Sequence, residues 1–413
     1  MRRLSHGFRA AMFACAWMGV SVPAAGFAQV VADGPEVLEK VDPYTKGDAA
    51  ALAKLGYVQL MPAKFYDDVG TLDVENALEG TVVLWVETTH FKIGSNLVTY
   101  RTTDDVIENA LLDRELKRLR PRLANAKATR VKLDPWLRLH LFAQRLEEQY
   151  ADFQRRFGLH DDDAERAKKS GGPYLGDGPY LGMEQKFCVL LMEKQIAVRR
   201  FARKYFASET DYWQRFMSKG GAGILAISSE LLASYGYKRD SDLAATVAGE
   251  MAFNFVQAFR KGGTYAPPWF RAGLAHVYAR AMDPRCTLQA VGVATAWNDP
   301  ASYEWEPRVR ALVESKSASP WNEVVRWTVL DALTPPQHLA SWSRVEWLLA
   351  RKNTDLHALL LGFTEDRVPL TEADRQPIDE ARQKATLAAA CGKDLEALDA
   401  EWKQHVLRQY AKK

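Results

Sequence analysis

Cysteine is scarce in this 413-residue chain: Cys15, Cys188, Cys286 and Cys391 are the full set, and no two form a C-x-x-C pair. That excludes a zinc ribbon and a thioredoxin-type motif. The chain also lacks a P-loop, a G-x-G-x-x-G dinucleotide fingerprint and a G-x-S-x-G nucleophile elbow. An excess of one charge is missing too. Lys and Arg number 55 against 52 Asp and Glu, and three of the basic residues (Arg2, Arg3, Arg9) fall in the first 28 positions, which hold no acid. The remainder therefore balances at 52 of each. A neutral protein gives no electrostatic reason to expect nucleic acid or an anionic membrane as partner. Long apolar runs are absent as well. Ala10–Val22 falls short of the twenty or so residues that a membrane span needs, and no later stretch exceeds it.

What the first 28 residues do contain is the pattern of a secretory leader. An arginine-bearing start precedes the short apolar core, Pro23 breaks it, and Gly26 and Ala28 supply small residues for cleavage before Gln29. The expected location is secreted or periplasmic, by the general secretory route. Cys15, preceded by Met12-Phe13-Ala14, makes a poor lipobox. Cys188, Cys286 and Cys391 permit one disulfide in an oxidising compartment, with buried unpaired thiols as the other reading. Roughly 385 residues beyond the leader, in a chain 47% apolar, suffice for one large core or two modest ones.

Along the chain, residues 29–80 read as loosely organised, with short helices near Asp48–Leu55 and Asp73–Leu78. Thr81–Val86, His90–Ile93, Lys186–Leu191 and Gly223–Ser228 read as strands. Asp104–Leu119 reads as an amphipathic helix. Asp134 caps the next, with Pro135 at its first position and Gly158 ending it. Ala197–Phe206 and Thr210–Met217 read as helical. Residues 160–184 differ in kind: a tandem Gly172-Pro173-Tyr174-Leu175-Gly176-Asp177 and Gly178-Pro179-Tyr180-Leu181-Gly182-Met183 forbids helix and favours turns. It reads as a flexible surface insertion, or as a tyrosine-bearing flap over a cleft. Helices from Asp242 to about Arg260 and from Pro268 to Met282 follow, and helix signals dominate from Ser302 onward, broken at Ser319-Pro320, Pro335-Pro336, Pro369 and Gly392. The order predicts an α+β fold: a mixed-sheet part over 81–260 with the insertion at 160–184, then an all-helical part over 261–413. Trp297, Trp305, Trp321, Trp327, Trp342 and Trp347, in that helical part, read as core, or else as the lining of a sugar or peptide groove.

The central constellation is a spacing without its ligands. A zinc peptidase of the H-E-x-x-H type places two histidines one helical turn apart, with the general-base glutamate after the first. A third ligand comes from a second helix. Here the corresponding run is Gly249-Glu250-Met251-Ala252-Phe253, and after eighteen intervening residues comes Ala272, within Trp269-Phe270-Arg271-Ala272-Gly273-Leu274-Ala275. A hydrogen, a benzyl ring and a methyl offer a metal no lone pair; only Glu250 keeps its type.

On these segments the chain resembles the gluzincin zinc peptidases, and within them the bacterial peptidase MA-like group, where a Pro-rich turn and Trp-x-x-Glu-Gly-Leu-Ala supply the third ligand. Strands like Lys186–Leu191 and Gly223–Ser228, a segment like Thr89–Ile93 upstream and a closing helix like Cys391–Trp402 extend the resemblance over about residues 81–410. It implies a gluzincin-like fold: a small mixed sheet with a central helix, then a helical subdomain. It places Gly249, Phe253 and Ala272 at the ligand positions and Glu250 at the vestigial general-base position. Trp269 and His276 would share the cleft. The expectation is a proteolytically inactive pseudopeptidase, without metal or other cofactor, acting as a structural module or binding a peptide, glycan or protein. The alternatives are a metal-independent hydrolase in which Glu250 works with His276 or a second carboxylate, and a residual metallopeptidase with unconventional ligands. His276 lies one turn after Ala272 and is expected to pair with Glu250 or pack in the core; the seven histidines beyond the leader show no i, i+3 or i+4 pair, and His90, His140, His160, His338, His357 and His405 read as solitary.

Overall fold

The computed structural model describes residues 38–123, 131–261, 266–287, 303–364 and 378–411. The leader, Trp297 and Pro369 lie outside these residues. Residues 37–413 make one compact unit.

Ten strands are described: β1 (Tyr57–Leu60), β2 (Lys64–Tyr66), β3 (Val69–Gly70), β4 (Leu84–Thr88), β5 (Phe91–Ser95), β6 (Tyr100–Arg101), β7 (Lys132–Leu133), β8 (Phe187–Met192), β9 (Gln214–Met217) and β10 (Gly223–Ser228). Six form one mixed sheet in the order β1-β4-β5-β8-β10-β9. β5, β8 and β10 run parallel, and the remaining pairs are antiparallel. Strand β8 is apolar from end to end and β10 up to its closing Ser228, because both faces are covered. Phe187, Val189 and Leu191 of β8 and Leu225 and Ile227 of β10 enter the main core beneath the helices. Their neighbours Cys188, Leu190, Met192, Ile224 and Ala226 enter a smaller core on the other face, closed by Phe65, Val74 and Phe201. The two-residue strand period alone sorts these side chains.

The long helix Pro135–Phe157 begins as its sequence dictates. Asp134 accepts a hydrogen bond from the Leu137 amide, Pro135 occupies the first position, and Gly158 ends the helix in the left-handed region at φ 62°. The chain is thus α+β, with a small mixed sheet followed by a helical C-terminal part. No described helix is long and apolar enough to cross a membrane.

Three expectations are corrected. Thr210–Met217 is not helical: Gln214–Met217 is edge strand β9, paired with β10 from Gly223 opposite Met217 to Ala226 opposite Gln214. The signal that could have found it is the Gly220-Gly221 turn, where Gly221 takes φ 80° and Ser218 accepts from Gly221 and donates its amide to Ala222. The repeat at 172–183 is neither an unstructured insertion nor an isolated flap. It folds on itself through Gly178–Gly182 and Tyr180–Met183 bridges, and Leu181 and Met183 are buried. A Cβ on Gly176 would lie 2.3 Å from the Cα of Gly182, so the closing glycines of the two repeats pack backbone to backbone. Finally, residues 38–80 are built into the fold: Tyr57, Phe65, Tyr66 and Val74 are buried. Cys188, Cys286 and Cys391 are buried and form no disulfide.

Candidate functional site

The helix Asp240–Ala258 carries Gly249, Glu250 and Phe253, and almost every residue of it is buried. Its start is fixed by charge. Arg138 donates to Asp240 at 3.0 Å and Arg145 at 2.9 Å, and Arg145 also grips Glu115 with two bonds of 2.9 and 2.7 Å. All four side chains are at most 5% exposed. Burial would raise the Asp240 carboxyl, but Arg145 and Arg138 overcome it and hold the group below its ordinary range. The carboxylate also faces the positive end of its own helix.

The helix Pro268–Met282 lies alongside, in the most extensive element pairing of the fold. The two run antiparallel, since Ser241 at the start of the first donates to Asp283 just past the end of the second at 2.9 Å. This pairing straddles the boundary that the sequence suggested near residue 260. On the other side Pro268–Met282 receives the helix Pro335–Ala350. Gly273 permits that approach: a Cβ there would lie 2.4 Å from the Ser341 carbonyl oxygen and 2.5 Å from Val345.

At the centre, Glu250 is 3% exposed and faces Arg215 of edge strand β9, whose Nε lies 3.1 Å from Glu250 Oε2. The pair is ionic without an aligned hydrogen bond: Oε2 accepts none and Arg215 Nη1 donates none. The Arg215 guanidinium also sits 4.2 Å from the centroid of the Phe253 ring, and that of Arg271 lies 5.5 Å from it. Phe253 is 5% exposed and Ala272 1%. Arg215 reaches the site because β9 alternates: Phe216 turns the opposite way and stacks on Phe206 at 3.8 Å. Reading Thr210–Met217 as a helix hid this cation. Glu250 therefore has a counter-charge of its own and is not a lone carboxylate against hydrocarbon.

His276 and Trp269 go elsewhere. His276 is fully buried, and its Nε2 is joined to Nδ1 of His338 by a 3.0 Å hydrogen bond. His338 read as solitary in the sequence; the two rings, 62 positions apart, join the helices Pro268–Met282 and Pro335–Ala350. Burial pushes His276 well below the ordinary imidazole range, with His338 and Arg280 adding to it, and burial pushes His338 down to about 4. Both rings are thus neutral at pH 7. The expected pairing of His276 with Glu250 is replaced by this one. Trp269 is fully buried against Trp321 and Phe363 and donates to Gln383 at 3.0 Å, so it is a core residue of the helical part. Trp305, Trp321, Trp342 and Trp347 are buried likewise.

The residues that the resemblance places at ligand positions do not fit a zinc ion. Gly249, Phe253 and Ala272 supply no donor atom, and a guanidinium already lies beside Glu250. Among the described residues no group of three or more His, Cys, Asp or Glu is placed to hold a metal. A cleft of about 860 Å³ between Arg280, Trp305, Trp342 and Glu346, and another of about 380 Å³ beyond the carboxyl ends of β8 and β10, both lie away from Glu250, Phe253 and Ala272.

The end of the Asp240–Ala258 helix was not legible as a structural node. Arg260, buried and at φ 58°, donates its amide to the Leu181 carbonyl at 3.1 Å and its Nε to that of Tyr174 at 2.7 Å. Its Nη1 reaches the carbonyls of Leu361 and Thr364 at 3.2 Å each. One arginine thereby ties the folded glycine repeat and the C-terminal helices to the end of this helix. No protein-family model matches the chain, and no curated protein matches it.

Proposed function

We propose that this chain is a secreted or periplasmic pseudopeptidase of gluzincin, peptidase MA-like ancestry. In this reading its former metal centre is a plug packed around the Arg215–Glu250 ion pair and Phe253, and the fold serves as a structural or binding module for a peptide, glycan or protein. One observation carries the reading. The Arg215 guanidinium lies against both the carboxylate at the general-base position and the ring at a ligand position. An organic cation then stands beside Glu250, where a working site would hold the water that the glutamate deprotonates, and Phe253 fills space that a coordination sphere needs open. The antiparallel contact of the two motif-bearing helices supports the ancestry, because the third ligand of such a site must come from a helix packed beside the first. The leader pattern in the sequence supports the location. Hydrolysis by Glu250 with His276 finds no support, since His276 bonds to His338.

The test has two arms. Purified chain, dialysed against zinc and analysed by elemental mass spectrometry, is expected to hold no stoichiometric metal and to cleave no peptide library. A variant restoring donors and clearing the plug (Gly249→His, Phe253→His, Ala272→Glu and Arg215→Ala together) is expected to bind one zinc while keeping its circular dichroism spectrum. Stoichiometric zinc in the natural chain refutes the loss of the site. A folded restored variant that takes no zinc refutes the ancestry.

A further inference from the structure

The 160–184 segment is tied to the body at two places. One is Arg260, at the end of the Asp240–Ala258 helix. The other is a histidine with a carboxylate on each ring nitrogen. His90, in the turn between β4 and β5, places Nδ1 2.6 Å from Glu147 of the long helix and Nε2 3.1 Å from Asp161 at the start of the 160–184 segment. The His90 amide donates to the other Glu147 oxygen at 2.9 Å. Its ring lies on that of Tyr150 at 3.9 Å and 19°, and Tyr180 of the repeat meets it edge-on at 6.4 Å. The second Asp161 oxygen accepts from Gln154 at 2.6 Å and from the Tyr150 hydroxyl at 3.3 Å.

A neutral imidazole has one N–H and one bare lone pair, whereas two carboxylates demand two donors. Only the imidazolium satisfies both contacts; loss of its proton turns one of them into lone pair facing lone pair. The contact to Asp161 is the longer and the more open, Asp161 being 46% exposed against 29% for Glu147.

We propose that residues 160–184 form a proton-gated strap, held on the body by the charged form of His90 and released at Asp161 when that proton leaves. The strap's far end carries the Leu181 and Tyr174 carbonyls that engage Arg260, so release loosens the end of the helix that bears Glu250 and Phe253. The proposal holds whether or not that helix descends from a peptidase.

The groups around His90 fix the direction. Burial disfavours its charge, yet Glu147 and Asp161 outweigh burial and raise it above 6.5. The strap contact is therefore fully present below the unfolded-state value and is lost as pH climbs through the raised folded one. On the acid side, burial opposes ionisation of Glu147, but the His90 bond prevails and lowers it below 4.5. Tyr150 and Tyr180 are raised above 10 by burial and stay protonated across neutrality. Lys186, bound to Glu87 and to the Thr88 carbonyl, lies behind the turn. His160, exposed and next to Asp161, is the neighbouring imidazole that needs a control.

The experiment is amide hydrogen exchange of the full chain from about pH 6 to about pH 9, corrected for intrinsic rates, with His90 followed by NMR. Peptides spanning 172–183 and 256–261 are expected to lose protection by roughly three- to tenfold, the range for one part-exposed charge-assisted bond. The midpoint should coincide with the His90 titration. Asp161→Asn should remove the step and leave the strap at the loosened level at both ends, while His160→Gln should leave the step intact. Protection that stays flat while His90 titrates overturns the proposal. So does an unchanged step in Asp161→Asn, or a His90 midpoint below 6.5.

Discussion

Removing the charge of Arg215 without its bulk, as Arg215→Met, isolates the interaction on which the plug rests. At 3.1 Å and an effective dielectric of about 20, the gross attraction to Glu250 is about 5 kcal/mol. Two features reduce the net value. Arg215 keeps 26% exposure in its side chain, and the pair lacks an aligned hydrogen bond. Glu250, at 4% side-chain exposure, has given up nearly all its water and suffers most when the cation leaves. We expect Arg215→Met to cost about 3 kcal/mol, the low end for stranding a buried charge, and Glu250→Gln to cost about 1–2 kcal/mol. The double variant should cost less than the two singles combined, by about 1–3 kcal/mol, because neither charge then remains to be stranded. The assay is urea unfolding of the four proteins, followed by tryptophan fluorescence at fixed pH and salt. Additivity to within about 0.5 kcal/mol means that the two side chains are not coupled in solution, and the reading of Arg215 as the counter-charge of Glu250 is then wrong.

Two further outcomes follow from the same packing. Arg145→Leu strands Glu115 and halves the support of Asp240, both at most 1% exposed; it should destabilise by about 3–5 kcal/mol in equilibrium unfolding, and a loss under about 1 kcal/mol would show that the network is not formed. Gly273→Ala drives a methyl to 2.4 Å from the Ser341 carbonyl; it should cost about 1–3 kcal/mol by thermal or urea unfolding, whereas a neutral or stabilising result would place the two helices further apart.

How much was legible varied with how local each signal was. Asp134, Pro135 and Gly158 delimited their helix to the residue because capping and the left-handed terminus depend on a few adjacent groups. Gly223–Ser228 was read at its observed limits because a buried parallel strand is a short apolar run. Gln214–Met217 was misread because four residues with no strong shared preference precede their hydrogen-bonding partner, and only pairing with β10 makes them a strand. The repeat at 172–183 betrayed its turns but not its burial, since contacts such as Gly176 on Gly182 and Leu181 on Arg260 exist only once both partners are placed.

The sequence by itself determined the α+β order, the limits of the Pro135–Phe157 helix and the chemical emptiness of Gly249, Phe253 and Ala272, because caps are local and the presence of a donor atom is a property of the residue. Tertiary structure alone decided who meets whom: Arg215 with Glu250, His276 with His338, Trp269 with Gln383, and His90 between Glu147 and Asp161. These partners stand 35, 62, 114, 57 and 71 positions apart. At such separations local preference carries no information, and pairing is set by which faces of the sheet and helices close on a shared core.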